Sequence, residues 1–101
     1  MGYSSDVKAV TKSADASAIV GRTRVQSLYF SNAGVASSFT LRNGTTSSDT
    51  VVLTIITPAA VRNTSVPLPN DGLLFENGCF IDFADANVTS VTLFFCGGAA
   101  A

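Results

Sequence analysis

Three groups of residues in this 101-residue chain have the types and spacing to do chemistry. They are the thiols Cys79 and Cys96, the arginines Arg22 and Arg24 with Gln26 two residues on, and the oxygen-bearing run Asp82, Asp85 and Asn87. What each could do is limited by a missing partner. A Ser or Cys nucleophile normally works beside a positioned base, most often His, and the chain contains no His. Paired carboxylates could cleave glycosides, but the seven acidic residues fall mostly at turns or strand ends. The chain is therefore expected to be no enzyme and to need no cofactor. Zinc is not expected either, because there is neither a CxxC spacing nor a His.

Asp82, Asp85 and Asn87 could offer oxygens to Ca²⁺. The plainer reading has Asp85 and Asn87 building a turn through local side-chain hydrogen bonds. Arg22 and Arg24 are expected to share one strand face, with Gln26 continuing the row. They could grip a carboxylate on a neighbouring protein by bidentate hydrogen bonds or simply form a solvated strand face, and of all the charges here they suit an interface best. If 84–87 is a hairpin loop, Cys79 lies opposite Thr92 and Cys96 lies roughly 13 Å further along at ~3.3 Å per residue. That exceeds the ~7 Å Cα limit for a bridge, so two free, buried or half-buried thiols are expected. Three sequons, starting at Asn43, Asn63 and Asn87, are chance matches in so Asn-, Ser- and Thr-rich a chain.

The elements that must position these residues are strands. Twenty-three Ser and Thr stand against thirteen charged residues, hydrophobic residues make up 47%, and Trp is absent. That vocabulary, cut by Gly and Asn, belongs to one all-β domain rather than a disordered chain. Charge at 13% is about half the ~25% of ordinary soluble domains, which weakens the repulsion that keeps proteins apart. Part of the surface is thus expected to be an interface. Net charge is −1 and the six basic residues are scattered, so no basic stripe for nucleic acid is expected. No ~20-residue apolar run suggests a membrane helix, and no signal peptide is visible at the start.

Apolar β-branched runs separated by turn residues about every ten positions predict an antiparallel β-sandwich of about eight short strands, with a jelly roll as one form. The strands are expected near 7–11, 22–31, 38–42, 50–57, 61–68, 73–76, 79–83 and 88–96. In 50–57 the odd positions Val51, Leu53 and Ile55 are all apolar, an alternation that supports a strand. Asn77-Gly78 predicts a two-residue hairpin, and Asn70-Asp71-Gly72 another corner. The small residues of 14–18 and 32–37 read as loops. Residues 1–6 are expected as an N-terminal arm, 7–96 as the sandwich and 97–101 as a flexible tail.

Four segments in order carry a resemblance: Gly21-Arg22-Thr23-Arg24-Val25, Val52-Leu53-Thr54-Ile55-Ile56-Thr57-Pro58-Ala59, Leu68-Pro69-Asn70-Asp71-Gly72-Leu73-Leu74-Phe75 and Val91-Thr92-Leu93-Phe94-Phe95. This succession resembles small structural proteins of tailed phages, particularly those of marine bacteria and cyanobacteria, over roughly residues 7–96. The resemblance implies a virion protein, most simply a capsid decoration (cement) protein made in the host cytoplasm. Its partner would be the major capsid protein, bound by a homo-oligomer, trimer or dimer. A tail or fibre component contacting the host surface is the alternative within virions. A small carbohydrate- or protein-binding β-sandwich is the alternative outside them.

Overall fold

The computed structural model describes residues 7–68 and 72–101. The expected arm 1–6 and the Asn70-Asp71 part of its corner lie outside the described residues. The strands are β1 Lys8–Lys12, β2 Ala16–Val20, β3 Thr23–Ala33, β4 Ser37–Asn43, β5 Thr50–Thr57, β6 Val61–Pro67, β7 Leu73–Phe75, β8 Cys79–Phe83, β9 Val88–Cys96 and β10 Ala99–Ala100. All eight expected strands are present. Their β-branched and aromatic side chains fit a pleated, half-buried surface, and the alternation puts every second one inside.

The pairing is nested. β1 lies antiparallel to β9, β2 to β8, β3 to β6 and β7, and β4 to β5. Folded over, this long hairpin places β1-β9-β3-β6 in one sheet and β2-β8-β4-β5 in the other, with β10 added beyond β2. Alternate rungs in alternate sheets make a jelly roll.

The core lies between the sheets. The first sheet contributes Val25, Leu28, Phe30, Phe75, Val91, Leu93 and Phe95, and the second Ile19, Phe39, Leu41, Cys79, Ile81 and Phe83. Burying each large side chain contributes about 1.5–3 kcal/mol. Phe30 meets Phe39 edge to face across the two sheets, with centroids 5.4 Å apart, an arrangement worth about 0.5–1.5 kcal/mol beyond burial.

Several local expectations are corrected. Asn77-Gly78 closes no hairpin, since β7 pairs with β3 while β8 pairs with β2 and β4. Gly78 is needed for a different reason: its φ is +106° and a Cβ there would sit 2.6 Å from the Ile19 carbonyl oxygen. Residues 84–87 likewise cross between sheets. The Ala84 N–H donates to Ser38 O in one sheet, and Asn87 O accepts from the Ala33 N–H in the other. The run 14–18, read as a loop, supplies most of β2, where Ala18 and Ile19 are fully buried. Small side chains give weak strand propensity, and the pairing with β8 overrides it. Ala99–Ala100, placed in the expected tail, pairs with Val20 and Ile19.

Candidate interaction surfaces

The arginine row is interrupted on both sides. Arg22 precedes β3, in the exposed bend after β2, so it shares no strand with Arg24. Arg24 is exposed on β3 and donates from Nη1 to Gly72 O at 3.3 Å. Between Val25 and Ser27 the register against β9 shifts, leaving Gln26 as the extra residue. A bulge re-aims side chains, so the outward row of β3 continues through Ser27 and Tyr29 instead. Gln26 is half-buried, and its carbonyl accepts the Leu68 N–H.

The carboxylates are engaged separately. Arg42 donates from Nε and Nη2 to Asp82 Oδ2 at 3.1 and 3.0 Å, and from Nη1 to Asp49 O at 3.0 Å. One guanidinium thereby joins β4, β8 and the β4–β5 loop. With both side chains about three-quarters covered, the pair contributes on the order of 1 kcal/mol. Asp85 Oδ1 accepts from Ser37 Oγ at 2.7 Å and from the Asn87 N–H at 2.9 Å, the local turn expected for it. These bonds, the one from Ser37 first, hold its carboxyl below the ordinary range. Asp49 is lowered too, chiefly by the backbone N–H and then the hydroxyl of Thr46. Among the described residues no group of three or more Cys, Asp or Glu is arranged to hold a metal ion.

The thiols are both free, Cys79 buried and Cys96 half-buried. They lie in different sheets, so sheet membership separates them rather than the stagger along a hairpin. Burial pushes the Cys79 thiol up to about 12.

Sequence reasoning missed one end of the sandwich. Ala33 faces Val61 and Ser37 faces Thr57, so the β3–β4 loop 34–36 and the β5–β6 loop 58–60 sit together. Val35 is 55% exposed, and Ile56 and Val61 are each 81% exposed. No charge occurs in 25–41 or in 50–61. Those two uncharged runs were the signal, but only the topology brings them to one place. Asn32 fixes this end from below. Buried in β3, it donates from Nδ2 to the carbonyls of Pro58 and, at 3.1 Å, of Ala60. Its Oδ1 has no partner. Beside the apolar end, a cleft of about 410 Å³ is lined by Ser13, Ala14, Asp15, Phe83, Asp85 and Ala86. Asp15 is committed on one side, its Oδ1 accepting the Phe83 N–H at 2.7 Å.

These features define an all-β jelly roll with two distinctive surfaces, one apolar and uncharged, the other a small acidic cleft. The sequence matches no protein-family model, and no curated protein matches it.

Proposed function

We propose that this chain is a non-catalytic structural protein of a phage virion, a capsid decoration (cement) protein that binds the capsid lattice and clamps neighbouring subunits of the major capsid protein. The observation that carries the reading is the jelly-roll pairing, an architecture used by viral capsid domains as well as lectins and cupins. Fold alone does not determine function, so the surface must add its share. It does so through an uncharged apolar end held by Asn32, suited to docking on another protein. Arg22 and Arg24, exposed at the opposite end and on the outer face of the first sheet, are kept as supplementary interface charges, with Gln26 beside them in the bulge.

The test is the copy number of this chain per particle, by quantitative mass spectrometry of purified virions. Copies comparable to those of the major capsid protein support the cement reading. A small fraction of that number points to a tail or fibre component, and absence from the particle removes the virion reading. A second reading is favoured by the acidic cleft: a small carbohydrate-binding module, with the free Oδ2 atoms of Asp15 and Asp85 accepting from sugar hydroxyls. A sugar-dependent rise in melting temperature, abolished by Asp15→Asn, distinguishes it.

A further inference from the structure

The edges of the two sheets are not equally protected. An edge strand offers unpaired N–H and C=O groups to any other strand, and proteins guard such edges with charge, Pro, shortness, β-bulges or inward-pointing Lys. β1 is guarded in the last way. Lys8 and Lys12 pair with the inward-facing Phe95 and Val91 and reach across to donate to Gly98 O and Ala101 O, each at 3.2 Å. β10 has two residues and β7 three, and β6 ends on Pro67. β5 has only one of these devices, a bulge at Val52 near its start, and from Leu53 to Thr57 its pairing with β4 is regular. It is eight residues long, Thr-Val-Val-Leu-Thr-Ile-Ile-Thr, uncharged throughout, and it closes one side of the second sheet.

We propose that β5 is a self-association edge, pairing antiparallel with β5 of a second copy of this chain across a two-fold axis. The strand is suited to its own reversal. Reversed about Thr54, it sets Leu53 against Ile55 and Val52 against Ile56, apolar against apolar. No like charges meet when it turns on itself. For both cores to lie on the same side of the joined sheet, residues on the same face must pair. A dyad at Thr54 meets that condition, placing Thr54 opposite its counterpart on the outer face and Leu53 opposite Ile55 of the second copy on the core face. Leu53 and Ile55 are only half-buried here and would gain cover from the added strand. The five-stranded sheet becomes ten-stranded, five from each copy.

The size of the contact sets its strength. A strand of this length spans ~26 Å at ~3.3 Å per residue, and the molecule is 20 Å across its thinnest dimension. The product is ~500 Å² per copy, or ~1,000 Å² in total, near the lower bound for a specific interface. The dimer is therefore weak and concentration-dependent, with Kd on the order of 1–100 μM. This inference is independent of the virion reading, and its test uses the chain alone in solution.

Sedimentation equilibrium from roughly 1 μM to 1 mM, a range spanning that Kd, should show the mass rising from monomer to dimer. Thr54→Lys sets like charges face to face at the dyad and should leave a folded monomer throughout. Thr54→Glu should do the same, and an equimolar mixture of the two variants should recover the dimer. Ile56→Lys, at an exposed site on the same strand, serves if either Thr54 variant fails to fold. A wild-type chain that stays monomeric at the top of the range overturns the proposal. So does a dimer or larger oligomer that persists in folded Thr54→Lys, because the contact would then lie elsewhere.

Discussion

The two cysteines carry the sharpest contrast between neighbouring chemistries in this molecule. Cys79 sits fully covered between the sheets, and its thiol, raised to about 12, presents almost no thiolate near neutrality. Only the thiolate is a nucleophile. A maleimide or iodoacetamide reaction at pH 8 should therefore label Cys96 in the folded protein and Cys79 only after unfolding, as read by peptide mass spectrometry. Equal labelling of both thiols in the native state would contradict the burial of Cys79. The sign of the linkage follows from the raised value. Stability due to the neutral thiol is complete below the ordinary thiol range, around 9, and is lost as pH climbs from there towards 12. At the same scale, Asn32 shows why a buried amide can be kept in a core. Its two donated bonds tie the Pro58 and Ala60 carbonyls of the β5–β6 loop to β3, each typically worth about 0.5–1.5 kcal/mol. Nothing in the local sequence Phe30-Ser31-Asn32-Ala33 announces that role, because the acceptors lie more than twenty-five residues away.

Elements were readable where the side chains alone decide them. Val, Ile, Phe and Thr alternating over five or more residues mark β4, β8 and β9 wherever they end up. The inward set Val91, Leu93 and Phe95 follows directly. What local pattern does not contain is the partner. The Asn77-Gly78 pair favours a hairpin by its backbone preferences, yet the crossing to the other sheet wins because Phe75 and Ile81 must both reach the core from opposite sides. β5 shows the same limit on a smaller scale. Leu41 faces Leu53 but Arg42 faces Val51, so Val52 is an extra residue and Val51 turns outward beside Arg42. Strict alternation would put Val51 on the same face as Leu53 and Ile55. The loop at 84–87 supplies a prediction at this scale. Asp85 and Asp49 have depressed values, so the stability they contribute is present above the ordinary carboxylate range, ~3.9, and is lost as pH falls through their lowered folded values. Ser37→Ala removes the leading cause for Asp85. Its titration midpoint, followed by NMR of the side-chain carboxyl carbon, should rise towards the ordinary value while that of Asp49 stays put. An unmoved Asp85 midpoint would assign the shift to something other than the Ser37 hydroxyl.

For the whole molecule, the nested pairing makes every rung except β4–β5 a long-range closure, with β1 and β9 about eighty residues apart in the chain. Loop-closure entropy must be met before such contacts form, which places folding of β-sandwiches in the millisecond-to-second range. The last closure involves the segment after Cys96. β10 covers the edge of β2, and the carbonyls of Gly98 and Ala101 receive Lys8 and Lys12. Ending the chain at Cys96 should therefore lower the melting temperature and raise hydrogen exchange in β1 and β2 together, with β4 and β5 unaffected. Exchange confined to β2 would mean that the lysine contacts hold nothing. The glycine- and alanine-rich composition of 97–101 hides this contribution, because its bonds are made by backbone groups and lysines distant in sequence.

The lysine bonds also set the geometry of the two ends of the described chain. β1 and β10 close the same flank of the sandwich, each as the outermost strand of its own sheet, and β5 lies on the opposite flank. A short linker from residue 101 back to residue 7 would thus span a single flank, making the molecule a natural subject for circular permutation, with new ends opened in the exposed Thr45–Ser48 loop. By the same geometry, a cargo domain fused after Ala101 would project from the flank away from β5, leaving that strand free for a neighbour.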